Sequence, residues 1–125
     1  MIIFCCCVCN LAMEPLTPIM PPVGLKTIVR SSTAMTLIWT DTTLGRNQRV
    51  TDNRFYTVRY NQKFLRKYKL VNCSELLLNV DDLQPDQEYE FSVKVSKGMR
   101  QSTWSLSVFN KTREAGMITC KHSFP

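Results

Sequence analysis

The chain has 125 residues, 44% of them hydrophobic, and a formal net charge of +6. That is enough chain for one core and not two, and the ordinary apolar content excludes a wholly disordered or membrane-embedded protein. The charge is uneven: Arg46 to Lys69 holds eight bases and one acid, Asp52, whereas Glu75 to Glu90 holds six acids and no base. A basic pole favours anionic partners such as sulfated glycans, acidic protein faces or nucleic acid, and the plain alternative is a solvated surface that keeps the domain soluble.

In chain order, MIIFCCCVCNLAM at the start is apolar except for Asn10. A bilayer span takes about 20 residues, so this run is too short for one. It has no basic n-region and no convincing small-x-small cleavage site. A leader over residues 1–20, outside the domain and without order, is the expectation, with a degenerate signal or a palmitoylated cysteine cluster as alternatives. Prolines at 15, 18, 21 and 22 then set an extended path, because proline disfavours helix in itself and in the residue before it.

From there the period is two. LKTIV opens a first strand. AMTLIWT places Met35, Leu37 and Trp39 on one face, and the turn-rich DTTLGRNQRVTDN separates it from FYTVRYN, where Tyr56, Val58 and Tyr60 share a face. KYKLV suits a sheet edge, where lysines discourage edge-to-edge pairing. LLLNV turns Leu76, Leu78 and Val80 inward. YEFSVKV does the same with Tyr89, Phe91, Val93 and Val95. Lys97 to Arg100 forms a turn, and TWSLSVF closes the set, with Trp104, Leu106 and Val108 sharing one parity. No convincing helical period and no internal repeat appears between residues 23 and 112.

Seven short strands separated by turn signals indicate an all-β, seven-stranded immunoglobulin-like sandwich. In LQPDQEYEF, Leu83 precedes a proline turn and Tyr89 enters the next strand. A tyrosine placed so buries its ring and returns its hydroxyl to the backbone of the turn, the corner known from such sandwiches. With Trp39 on the second strand and no cysteine pair in the body, residues 21–114 resemble a fibronectin type III domain. Residues 115–125 are expected to be a disordered tail.

The segments MPPVGLKT, YTVRY, YEFSVKVSKG and STWSLS are more specific. They resemble the membrane-proximal fibronectin repeats, the fifth above all, of the neogenin/DCC family of axon-guidance receptors. NQKFLRKYKLVNC departs from that pattern in its extra basic residues and in Cys73. The resemblance implies a non-enzymatic extracellular module, on the outer side of the plasma membrane or secreted. Its implied partners are netrins or repulsive guidance molecules, with heparan sulfate and neighbouring repeats. A passive spacer repeat is the alternative reading, and an intracellular scaffold module is a third.

The side-chain chemistry agrees with a binding role. His122 lies in the tail, remote from any nucleophile in a patterned element, and the glycines form no phosphate cradle. Cys5, Cys6, Cys7 and Cys9 crowd the start, Cys120 lies in the tail, and metal sites need spaced, converging pairs, so no cofactor or metal is expected. The candidate binding residues are Arg59, Lys63, Arg66, Lys67, Lys69, Lys94, Lys97, Arg100, Trp104 and Leu106. Cations of this kind grip sulfate through charge-assisted hydrogen bonds, and tryptophan and arginine are favoured at interface hot spots. For Trp104 the alternative is a structural lid carrying a stacked cation from a neighbouring strand. Asn72-Cys73-Ser74 and Asn110-Lys111-Thr112 fit the N-glycosylation triplet. Nucleic acid is not expected as a partner: no nucleic-acid-binding fold is recognised, and both triplets suit the outside of the cell.

Overall fold

The computed structural model describes residues 18–115. The segment 1–17, with the leader cysteines, and the segment 116–125, with Cys120 and His122, lie outside the described residues. The elements are β1 (Val23–Val29), β2 (Met35–Thr40), β3 (Phe55–Gln62), β4 (Lys69–Cys73), β5 (Leu77–Val80), β6 (Glu88–Lys97), β7 (Arg100–Gln101) and β8 (Val108–Lys111). All pairings are antiparallel. One sheet runs β1-β2-β5, and the other runs β4-β3-β6-β7 with β8 also paired to β6.

Alternation decides which side chains meet between the sheets. Met35, Leu37 and Trp39 of β2 face Tyr56, Val58 and Tyr60 of β3 and Phe91, Val93 and Val95 of β6, and all are buried. Leu76, Leu78 and Val71 pack half-buried against this cluster. The core is continuous, so truncating a fully enclosed member such as Leu37 to alanine is expected to cost about 2–5 kcal/mol. Ile19, which falls within the expected leader, is also buried in this core.

Tyr89 forms the expected corner. Its ring is buried beside Tyr60 and Phe91, and its hydroxyl accepts a 2.7 Å hydrogen bond from the Gln84 backbone N–H. The β6–β7 hairpin closes through Gly98 and Met99, with Lys97 opposite Arg100 and Gly98 at φ 63°. A two-residue hairpin takes glycine at its first position for this left-handed geometry.

Two segments depart from simple alternation. The edge strand expected at KYKLV begins two residues later, at Lys69, because a turn at 62–65, in which Leu65 N–H bonds Gln62 C=O, is followed by irregular backbone through residue 68. Of the single closing strand expected at TWSLSVF only Val108 and Phe109 are strand, in β8; β7 lies before that stretch, and the backbone between β7 and β8 is irregular. Trp104 therefore does not begin the last strand.

Candidate functional site

The irregular stretch between β7 and β8 places Trp104. Ser102 N–H bonds Val95 C=O at 2.9 Å, and Ser105 N–H bonds Val93 C=O at 2.8 Å. The two serine hydroxyls accept from the N–H groups of the same valines, each at 3.0 Å. Val108 then pairs with Phe91. Each two-residue step on β6 thus faces a three-residue step on the segment beside it, the signature of a bulge. The inserted residues break the parity expected for Trp104, Leu106 and Val108. Val108 packs against the core, while Trp104 lies on the outer face of the sheet and Leu106 is 89% exposed.

On that outer face the register builds two rows. Asn72, Thr57 and Lys94 form one, and Leu70, Arg59 and Ser92 form the next. The Arg59 guanidinium carbon lies 4.3 Å from the Trp104 ring centroid and 4.8 Å from that of Tyr68. Lys94 Nζ lies 4.9 Å from the same indole and donates to Gln101 Oε1 at 2.8 Å. Arg59 Nε donates to Ser92 Oγ at 3.2 Å. Four side chains from β3, β6 and the two flanking segments therefore lock into one cation–aromatic column. Each such contact is worth about 0.5–2 kcal/mol, depending on its hydration.

The remaining basic candidates are dispersed. Lys63 pairs with Glu88 at 2.9 Å, Lys97 with Asp52 at 3.3 Å, and Arg100 sits on β7 opposite Lys97. Arg66 and Lys67 are exposed in the irregular segment before β4. Lys69 is exposed at the edge but registers with Tyr60, whose ring is on the core side, so it does not share the Arg59 row. Leu106 lines a groove of about 420 Å³ with Trp104, Val108 and the stretch from Pro21 to Leu25, away from Lys63, Arg66 and Lys67. Of the two glycosylation triplets, Asn72 is exposed on the outer face, whereas Asn110 donates Nδ2–H to Thr27 Oγ1 at 2.7 Å.

Sequence reasoning missed a buried polar network at the connection from β2 to β3. Asp41 is fully buried, and its Oδ2 accepts from Arg54 Nη1 at 2.9 Å and from the Tyr56 hydroxyl at 2.7 Å. Its Oδ1 accepts from Thr43 N–H and Oγ1, while Arg54 also grips both oxygens of Asp52. Burial pushes the Asp41 carboxyl up, but the bonds from Thr43, Tyr56 and Arg54 outweigh it and hold the group below its usual range. The Arg54 hydrogen bond likewise holds Asp52 well down. Burial, together with the bond to Asp41, pushes the Tyr56 phenol up. The sequence signal was an acid at the end of a strand followed by an arginine bordered by Asp52, within the segment read only as turn-rich and basic.

Among the described residues no three metal-binding side chains gather, and no helix is long and apolar enough to cross a membrane. The fibronectin type III domain model matches residues 20–111.

The chain belongs to the fibronectin type III family.

This fibronectin type III domain is 43% identical to neogenin of Homo sapiens over 100 residues, covering 78% of this chain and 7% of that protein. To the netrin receptor DCC of Mus musculus it is 39% identical over 101 residues, covering 79% of this chain and 7% of the receptor. The chain thus spans a small part of these relatives, corresponding to one repeat. Among solved structures, the FN5 domain of Drosophila Lar superposes with a TM-score of 0.62 at 21% identity, covering 79% of this chain and all of that one. A myokine structure superposes with a TM-score of 0.65 at 19% identity, covering 78% of this chain and all of that one. At such identities the structural matches speak for the fold alone. The domain is a non-enzymatic module similar to the repeats of the neogenin and DCC receptors.

Proposed function

We propose that this domain is an extracellular recognition module of a guidance or adhesion receptor. In this reading it presents the outer face of the β4-β3-β6 sheet to a secreted protein ligand of the netrin or repulsive-guidance-molecule type. Heparan sulfate adds salt-dependent contact through Arg66, Lys67 and the Lys94 side of the column. The observation that carries the reading is the column Tyr68–Arg59–Trp104–Lys94, a rigid, partly exposed aromatic and cationic surface on a domain similar to netrin-receptor repeats. Aromatic and arginine side chains fixed in place give up little entropy on binding.

Heparin chromatography tests the charge contribution. Neutralising Arg66 and Lys67 is expected to lower the eluting salt more than neutralising Lys63, whose charge already faces Glu88, or Lys69, which lies off the Arg59 row. Unchanged elution of the quadruple variant at Lys63, Arg66, Lys67 and Lys69 would reject glycan contact at this pole. Binding of netrin or a repulsive guidance molecule to the domain, alone and beside a neighbouring repeat, tests the protein ligand. No binding in either form would leave the spacer reading, in which the sandwich only sets the distance between its neighbours.

A further inference from the structure

We infer that Asn72, and not Asn110, carries an N-linked glycan, and that this glycan gates the cation–aromatic face. The gating rests on the ligand-face reading above; the choice of asparagine does not.

The two acceptor triplets are equivalent in sequence and opposite in structure. Asn72 stands exposed on β4, an edge strand, and Ser74 is exposed in the bend that follows. The Asn72 Oδ1 accepts a 2.8 Å hydrogen bond from the Thr57 hydroxyl, which holds the amide against the sheet by its oxygen. Its nitrogen has no partner among the described residues, so a sugar on Nδ2 projects into solvent with the Thr57 bond intact. In the transfer, the amide nitrogen forms a bond to the anomeric carbon of a polyisoprenyl-pyrophosphate-linked oligosaccharide. The carbon–oxygen bond to the pyrophosphate breaks, and one amide proton is released.

Asn110 offers the reverse arrangement. Its Nδ2–H is donated to Thr27 Oγ1, tying β8 to β1 across the open side of the sandwich. Its triplet partner Thr112 is buried at 3% exposure. The Thr112 hydroxyl donates to Gln84 C=O at 2.6 Å and accepts from Gln87 N–H at 3.0 Å. A sugar on Asn110 would have to leave through that tie, which costs the folded state a partly buried hydrogen bond.

The register makes the Asn72 site regulatory. Asn72 lies directly across from Thr57, and Thr57 directly across from Lys94. With strands about 4.8 Å apart, the attachment point is about 10 Å from the Lys94 backbone and one row from Arg59. A branched, strongly hydrated sugar chain rooted there sweeps the same face that an anionic ligand must reach.

The test is secretion of the full chain from mammalian cells, as wild type and as S74A, N72Q and N110Q, with glycopeptide mass spectrometry and heparin chromatography of each product. S74A keeps Asn72 and changes only an exposed side chain, and N72Q removes the acceptor itself. Both are expected to lose the sugar, while N110Q keeps it. The unglycosylated proteins are expected to elute at higher salt than the glycosylated wild type. Sugar on Asn110, whether or not Asn72 also carries it, or retention in the cell without sugar, overturns the site assignment. Co-elution of glycosylated and sugar-free forms overturns the gate. Failure of sugar-free protein to bind heparin at all sinks both the gate and heparan sulfate contact, and mass spectrometry still decides which asparagine is modified.

Discussion

Arg59 and Trp104 are 45 positions apart in sequence, yet the guanidinium carbon of one rests 4.3 Å from the ring centroid of the other. The contact exists because the bulge at residues 102–107 lifts the indole onto the outer face, where the β3 register has already placed the arginine. Tyr68 and Lys94 complete the column from either side.

A double-mutant cycle on Arg59→Ala and Trp104→Ala is expected to show a coupling of about 1 kcal/mol in urea denaturation, the size of a partly hydrated cation–π contact. Arg59→Lys should recover part of it, since lysine keeps the charge and loses the planar stack. Additive single effects would mean that the two side chains are neighbours without being energetically coupled.

The buried network should be more sensitive. Arg54→Met leaves the Asp41 carboxylate enclosed without its cation, and breaking a buried pair in this way costs about 3–5 kcal/mol. Equilibrium unfolding of the variant measures it directly. A loss under about 1 kcal/mol would show that the Thr43 and Tyr56 bonds alone satisfy Asp41.

The same network sets the pH range of stability. In the folded protein Asp41 and Asp52 ionise below the ordinary aspartate value of 3.8, so the unfolded chain binds more protons as acid is added. Their stabilisation is full above that value and is lost as pH falls through the lower folded values. Tyr56 acts at the other limit. Its phenol ionises above the usual 10.0 when folded, so its contribution is full below that pH and is lost as pH rises further. Urea midpoints across pH should fall at both ends. Asp52→Asn should flatten the acid limb, and Tyr56→Phe the alkaline one. An acid limb unchanged in the Asp52 variant would assign acid unfolding to other carboxylates.

Tyr89→Phe keeps the buried ring and removes the hydroxyl that accepts from Gln84 N–H. The expected loss is about 1 kcal/mol, seen in denaturant unfolding with the slope unchanged. A neutral result would mean that water satisfies Gln84 equally well.

The amino-acid sequence by itself determined the sandwich. Strict alternation in AMTLIWT, FYTVRYN and YEFSVKV gathers the large apolar side chains on one face of each strand, and the side chains on that face are the ones found in the core. It also determined the tyrosine corner, because a proline turn and the entering tyrosine are close in the chain. What only the tertiary structure decided depends on partners distant in sequence. The period of two failed at residues 102–107 because Ser102 and Ser105 spend their hydroxyls on the β6 backbone, which inserts residues and separates Trp104 from Val108. The basic run from Arg46 to Lys69 read as one pole, but Arg54 folds onto buried Asp41, Lys63 meets Glu88 and Arg59 lies over two aromatic rings. Formal charge adds along a chain, whereas the charge left exposed on a surface depends on which acids and rings folding brings within a few ångströms.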